Sequence, residues 1–415
     1  MADPTREIAF DILGAVLDRR RTVEEALDAA REAPARDRAA AHRLASAVLR
    51  RLGTLDAVLE PYLKREPPQP VRHVLRLGAA GLLLLDTPAH AAVATSVVLA
   101  RARGLAPFTG LVNAVLRRVA EAGAAALQDL DGPRLDTPAW LWASWGPLAR
   151  AIAVAHEHEA PLDLTIRPGA PPPEGEALPT GSYRLPPGTR VAELPGYADG
   201  LFWVQDAAAA LPARLLHVRE GEAVADLCAA PGGKTAQLAA AGARVTAVER
   251  DPRRLLRLRE NLARLRLDAT VVEADALHLD GLPWGEPGRF DAVLLDAPCT
   301  ATGTIRRHPD VLRLRRPRDV ASLAGVQRGL LAAAARLVRP GGRLVYAVCS
   351  LQEEEGAGAV ARFAELGLEA DPVRPEEVPG LPEAVTAEGW LRTWPGLWPE
   401  RGGMDGFFAA RFRRV

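Results

Sequence analysis

Lysine is almost missing from this 415-residue chain: Lys64 and Lys234 are the two present, and every other basic residue is arginine. The 52 basic residues are matched by 52 acidic ones. A zero net charge argues against a strong, sequence-blind binder of polyanions, though uneven placement of the charge leaves nucleic acid open as a partner. Cysteine is scarce too, with three residues. That number is odd and too low for a disulfide scaffold. The start, Met-Ala-Asp-Pro-Thr-Arg-Glu, reads as neither a signal nor a transit peptide, so the chain is expected in a reducing cytoplasm. Long apolar runs are also absent. The most apolar one, Leu82 to Leu85, falls far short of the ~20 residues of a membrane span.

Nearly half of the residues are apolar, and the length suggests two or three domains with real cores. Residues 1–125 read as a compact helical bundle. Asp3 before Pro4 suits an N-cap and first-turn pair, and Ile8, Ile12, Leu13, Val16 and Leu17 fall on one helical face. Further helical patterns occupy 37–52, 54–64, 70–84, 89–103 and 109–121, with short links between them. A linker is expected at 126–139 and a small α/β extension at 140–205, with a strand over Leu162 to Arg167. Trp140, Trp142 and Trp145 read as packing anchors. From 206 to 415 strands alternate with helices. Strands are expected at 223–228, 244–249, 269–273, 290–295, 343–348 and 407–413, and helices at 234–241, 252–266, 319–338 and 355–366. That alternation predicts a mainly parallel, doubly wound sheet.

Each cysteine lies in a motif. Cys228 sits in Asp226-Leu227-Cys228-Ala229-Ala230-Pro231-Gly232-Gly233-Lys234, Cys299 in Asp296-Ala297-Pro298-Cys299, and Cys349 in Tyr346-Ala347-Val348-Cys349-Ser350. The first motif runs from a strand into a helix, where glycines allow close backbone approach to a ligand and the helix start offers free N–H groups. Glu249 closes the next strand, at a position where an acid can bind both hydroxyls of a ribose; Asp275 follows the third strand. The loop has neither the G-x-G-x-x-G nor the P-loop spacing, so a nucleoside without a phosphate chain fits better than a nucleotide. Cys299 and Cys349 close two other apolar strands, and reactive groups gather at the carboxyl ends of strands in such sheets. Two thiols there suggest thiolate chemistry on a bound substrate, with either as the candidate nucleophile.

At these motifs the chain resembles a known family. DLCAAPGGKT, DAPCTATGTIRRHPD and YAVCS are similar to the S-adenosylmethionine-dependent cytosine-C5 RNA methyltransferases. PPQPVRHVLRLGAAGLLLLDTPAHAAV and GLVNAVLRR resemble the NusB-like domain fused to the Sun or Fmu branch, the small-subunit ribosomal RNA methyltransferase B group, and DGFFAARFRR fits as well. The resemblance implies a Rossmann-like methyltransferase sheet with a small α/β extension and an all-α NusB-like domain. It also implies S-adenosylmethionine as cofactor, no metal, and 16S ribosomal RNA as the partner of a monomer. Cys349 would then be the nucleophile and Cys299 the cysteine that assists product release. Cys228, Ala229, Ala230, Pro231, Gly232, Gly233, Lys234, Glu249, Asp275 and Asp296 would contact the cofactor, Cys228 mainly through its backbone. Val348 stands where the family usually has Thr, Thr300 where it commonly has Ser, and Glu400 and Gly402 where histidines are frequent.

The chemistry of the residues agrees. C5 of cytosine is a poor nucleophile, and a thiolate adding to C6 makes it an enamine able to attack an electrophilic methyl group. A thiol of ordinary pKa near ~8.5 needs local help to ionise. Asp296 could meet N3 and the exocyclic amine. The base must leave its stack, which is easiest in an exposed, unpaired loop. Arg306, Arg307, His308, Arg315 and Arg316 follow the Cys299 loop and are expected to hold RNA backbone there. Two alternatives are the same chemistry on transfer RNA, and an inactive RNA-binding assembly factor on the same fold.

Overall fold

The computed structural model describes residues 3–279 and 281–415, which form two compact units. The first comprises residues up to His158 together with Ile305–Arg315. Its helices Pro4–Leu13, Ala35–Arg50, Leu52–Leu59, Gln69–Leu84, Ala89–Ala102 and Thr109–Ala122 pool their apolar faces. Ile12, Leu49, Leu55, Leu75 and Leu116 are fully buried in the shared core. One helix not foreseen, Val23–Ala29, begins with a reciprocal capping box between Thr22 and Glu25. Helices Ala139–Trp145 and Ala149–His156 belong to this unit rather than to the α/β extension expected from residue 140. Trp145 explains the difference, because its buried ring packs edge-on against His156 at 5.5 Å within the unit.

The second unit holds two sheets. The smaller is antiparallel, built from β1 (Leu162–Ile166), β2 (Glu176–Ala177), β3 (Tyr183–Leu185) and β4 (Phe202–Val204) in the order β2-β3-β1-β4. A buried ion pair braces it from within, and the same aspartate fixes it to the rest of the unit. Arg184 grips both carboxylate oxygens of Asp163 at 2.7 Å, and Asp163 also accepts the Ala207 backbone N–H at 3.0 Å, at the head of helix Ala207–Leu215.

The larger sheet has eight strands: β5 (Ala223–Leu227), β6 (Arg244–Glu249), β7 (Thr270–Glu273), β8 (Phe290–Asp296), β9 (Val338–Val348), β10 (Leu368–Ala370), β11 (Leu391–Arg392) and β12 (Phe408–Arg414). Its order is β10-β12-β9-β8-β5-β6-β7, with β11 paired to β12. β5 to β9 pair in parallel, and β12 runs antiparallel to β9 and β10. Both faces are covered, which is why the strands read as nearly continuous apolar runs. Leu227, Leu295 and Tyr346 pack toward helix Pro317–Leu337, while Val224, Leu294 and Val345 pack toward Ala207–Leu215. β5 has β6 on one side and β8 on the other, so strand order reverses there and opens a crevice at the carboxyl ends.

The helix expected at 355–366 is reduced to Ala357–Val360 and a 3-10 turn at Phe363–Leu366. Gly356 and Gly358 each weaken a helix by ~1 kcal/mol, and Glu355 turns inward instead of facing solvent. Among the described residues no helix is long and apolar enough to cross a membrane.

Candidate active site

β5 delivers the chain to Cys228, in the left-handed region at φ 61°, and the loop turns through Gly232 at φ 103° into helix Gly233–Ala240. A Cβ on Gly232 would lie 2.5 Å from Leu258 Cδ1, so glycine is needed for packing as well as for conformation. Helix Pro252–Leu265 braces the loop from outside. Asn261 Nδ2 donates to the Pro231 carbonyl at 2.8 Å, and Arg254 donates to that of Ala230. Arg254 and Asn261, both on this helix, therefore have structural partners in the loop.

Glu249 ends β6 almost fully buried. Its Oε1 accepts the N–H groups of Arg250 and Asp251 at 2.9 and 3.0 Å. Its Oε2 has no hydrogen bond; Arg254 Nη1 lies 3.3 Å away without the required alignment. Glu249, Cys228 and Asp275 line one cleft with Pro298, Leu277, Val326 and Leu330. An orphaned buried acceptor beside an apolar wall is the donor-and-surface pattern that suits a nucleoside: a diol for Glu249, a flat base between aliphatic side chains. The residues therefore fit S-adenosylmethionine. Burial, reinforced by Glu249, pushes the Cys228 thiol up to about 12, which keeps it un-ionised and out of thiolate chemistry.

Asp226, at the root of the loop, is fully buried and accepts from Thr235 Oγ1 at 2.6 Å, with its other oxygen unpaired. Burial raises its pKa from 3.8 to about 7 against the Thr235 bond, and Asp296 adds repulsion. The folded chain then holds a proton that the unfolded chain releases, so stability falls as pH rises from 3.8 to about 7 and levels off above. Asp226→Asn should flatten that decline. Urea midpoints at pH 5 and pH 8 check it, and the same pH dependence in variant and parent would refute it.

β8 and β9 bring the two other thiols together. Their register pairs Asp296 with Ala347, and Ala297 N–H donates to the Ala347 carbonyl at 2.9 Å. Just beyond these strand ends, Cys299 Sγ and Cys349 Sγ lie 3.4 Å apart. The hydrogen bond to Cys349 and then burial hold the Cys299 thiol well above the usual thiol range. Gly303 N–H donates to the Cys349 carbonyl at 3.0 Å and its own carbonyl accepts from Gly406 at 2.8 Å. A Cβ on Gly303 would sit 1.9 Å from the Gly406 oxygen, so this crossing of loops requires glycine. Lys234 Nζ donates to Asp296 Oδ2 at 2.8 Å and lies 5.1 Å from the centre of the Phe407 ring. The structure thus brings together Cys299, Cys349, Asp296 and Lys234, with Glu249 and Asp275 at the neighbouring strand ends.

The basic cluster after Cys299 is not a continuous RNA-facing strip. Arg306 is 1 % exposed, and its carbonyl accepts from the Arg50 guanidinium inside the helical unit. The expectation that it holds RNA backbone is therefore wrong for this residue, whose guanidinium is withdrawn from solvent. Arg307 and Arg315 are half-buried, while His308 and Arg316 are exposed. Arg316 lies in the other unit, where its backbone N–H bonds Asp319 at the start of helix Pro317–Leu337.

Several site residues escaped the sequence reading. Arg392 donates to the carbonyls of Ser350 and Leu351 at 2.9 and 2.6 Å, pinning the turn after Cys349. Gln205 joins the small sheet to helix Gly233–Ala240, accepting from Thr165 and Trp203 and donating to Gln237 at 2.7 Å. Glu355 accepts from residues adjoining both thiols. The strand before Gln205 offered a faint signal, since an amide between an aromatic strand and an alanine-rich helix start has buried donors to meet.

Comparison with known proteins agrees with this geometry. The profile described as 16S rRNA methyltransferase RsmB/F matches residues 213–413, and the NusB family profile matches residues 3–121. The ribosomal RNA small subunit methyltransferase B of Xanthomonas campestris pv. campestris is 38 % identical over 391 residues, covering 88 % of this chain and 89 % of that protein. The protein of the same name from Vibrio cholerae is 36 % identical, covering 89 % and 92 %. Among solved structures, a methyltransferase homologue from Pyrococcus horikoshii superposes with a TM-score of 0.54 at 26 % identity, over 69 % of this chain and 96 % of that one.

Proposed function

The chain belongs to the RsmB/F family of S-adenosylmethionine-dependent ribosomal RNA methyltransferases, and from that premise we propose that it methylates C5 of a cytosine in 16S ribosomal RNA through a covalent adduct with Cys349. The observation that supports this most is the thiol pair, 3.4 Å apart at adjacent strand ends, beside the Asp296–Lys234 pair and the cleft at Glu249. The RNA substrate is carried over from the curated relatives, whose names specify the small ribosomal subunit.

S-adenosylmethionine, held by the Cys228–Lys234 loop, Glu249 and Asp275, supplies an electrophilic methyl group. The protein does the rest. Cys349 as thiolate adds to C6 of an extruded cytosine, and the electron pair of the C5–C6 bond shifts to C5. Asp296, steadied by Lys234, faces the N3 and exocyclic amine edge where charge changes as the adduct forms. After C5 has gained its methyl group, it gives its proton to water, the electrons of that C–H bond restore the C5–C6 double bond, and Cys349 leaves C6 as a thiolate. Cys299 assists this last step from 3.4 Å away. The target is read as an unpaired, exposed loop because extrusion costs least there. The protein acts as a monomer in the cytoplasm, a setting that suits its three free thiols.

Incubation with tritiated S-adenosylmethionine and deproteinised 16S ribosomal RNA, followed by nucleoside digestion, should release label as 5-methylcytidine. Label on any other base, or none in RNA, would overturn the proposal.

A further inference from the structure

Glu355 takes no part in the steps above, yet it is fully buried. Its carboxyl group accepts from four neutral donors, two for each oxygen. Oε1 accepts the Thr300 backbone N–H at 2.9 Å and Gln327 Nε2 at 3.1 Å. Oε2 accepts the hydroxyls of Ser350, at 2.5 Å, and of Thr300. Burying an acid is unfavourable unless its acceptor sites are filled, and here three of the four donors belong to Thr300 and Ser350, the immediate neighbours of the two thiols. Thr300 follows Cys299 and Ser350 follows Cys349. Gln327, on helix Pro317–Leu337, also donates to the Pro298 carbonyl at 2.9 Å, on the other side of Cys299. The Glu355 backbone carbonyl accepts from the Tyr346 hydroxyl at 2.6 Å, which ties the clamp to β9 itself.

We propose that Glu355 is a positioning residue: its side chain clamps the Cys299 loop to the Cys349 loop and so sets the separation of the two sulfurs. This rests on the function proposed above for its reading of the thiols as attacking and releasing groups. The two roles must pass between sulfurs within one turnover, so a separation near van der Waals contact has to be held by something. Beyond the strands the backbone links the two loops through Gly303 N–H and the Cys349 carbonyl, four positions along from Cys299 itself. β8 and β9 stop at Asp296 and Val348, and both cysteines lie in the loops beyond.

The test uses the full-length protein and two independent readouts. The first is the rate at which diamide, itself reduced to a hydrazine, joins Cys299 to Cys349 without RNA or cofactor present, followed by peptide mass spectrometry. It reports sulfur proximity and is indifferent to catalysis. The second is the division of kinetic effects between kcat and KM. In Glu355→Ala, disulfide formation should slow at least ~10-fold and kcat should fall roughly 100-fold, with KM for RNA and cofactor affinity within about threefold. Glu355→Gln keeps an acceptor for Thr300 N–H and Gln327, and its amide can donate to the two hydroxyls, so it should recover most of both losses. If Glu355→Ala does not fold, the double variant Thr300→Val, Ser350→Ala removes the donors to Oε2 and should move both readouts in the same direction. Parental disulfide rate and kcat in a folded variant would overturn the clamp, as would loss of cofactor binding alongside both. A parent protein that methylates no RNA would sink the functional reading, while the disulfide comparison would still decide the clamp.

Discussion

Cys349→Ala should abolish methyl transfer, with a loss on the order of 10⁴-fold or more, because without the thiolate no route makes C5 of cytosine nucleophilic. Cys299→Ala should behave differently. Attack and methylation proceed, release stalls, and a protein–RNA adduct accumulates that survives denaturing electrophoresis and disappears on nuclease treatment. The asymmetry follows from the attacking and releasing roles that the family resemblance gives to two sulfurs lying 3.4 Å apart. An adduct in Cys349→Ala and none in Cys299→Ala would reverse the two roles.

Lys234→Ala should lower kcat by ~10²–10³-fold, comparable to removing a preorganised charge from a developing transition state. The lysine is 8 % exposed, between Asp296 Oδ2 and the face of Phe407. Its removal releases the Asp296 carboxyl from a 2.8 Å contact. Lys234→Arg should not rescue activity. A planar guanidinium is larger than the ammonium and cannot keep a single-point contact with Asp296 while lying 5.1 Å from the ring centre. Single-turnover rates at saturating cofactor separate this from weakened binding. A rate within threefold of the parent in Lys234→Ala would exclude a role for the pair in the chemical step.

Much of this site is legible in the sequence because strand ends are local features. Apolar runs that stop at Asp226, Glu249, Asp296 and Cys349 mark the carboxyl edge of a parallel sheet, and the edge fixes which side chains can meet. What remains hidden depends on distant partners. Glu353 and Glu354 are exposed, whereas Glu355 beside them is buried because its donors come from residues 300, 327 and 350, far away in the sequence. Arg306 reads as part of a basic strip, yet its carbonyl and side chain are enclosed among residues around Arg50. The helical unit extends past the expected boundary for a related reason. The stretch 126–139 reads as a linker, but Asp136 there accepts from Thr54 and Arg51 and keeps the following helices with the first unit.

The assignment of Ile305–Arg315 to the helical unit has a consequence for how the protein can be taken apart. The chain crosses between units three times, after His158, after Thr304 and after Arg315. Within the helical unit, Arg313 donates to the carbonyls of Leu49 and Asp136, Asp310 accepts the Val23 N–H, and Leu314 packs against its core. A truncation beginning at Glu159 would leave these eleven residues without those partners. The two units are therefore interleaved rather than strung in series. Domain swapping between relatives at the obvious N-terminal junction should yield misfolded hybrids unless residues 305–315 travel with the helices.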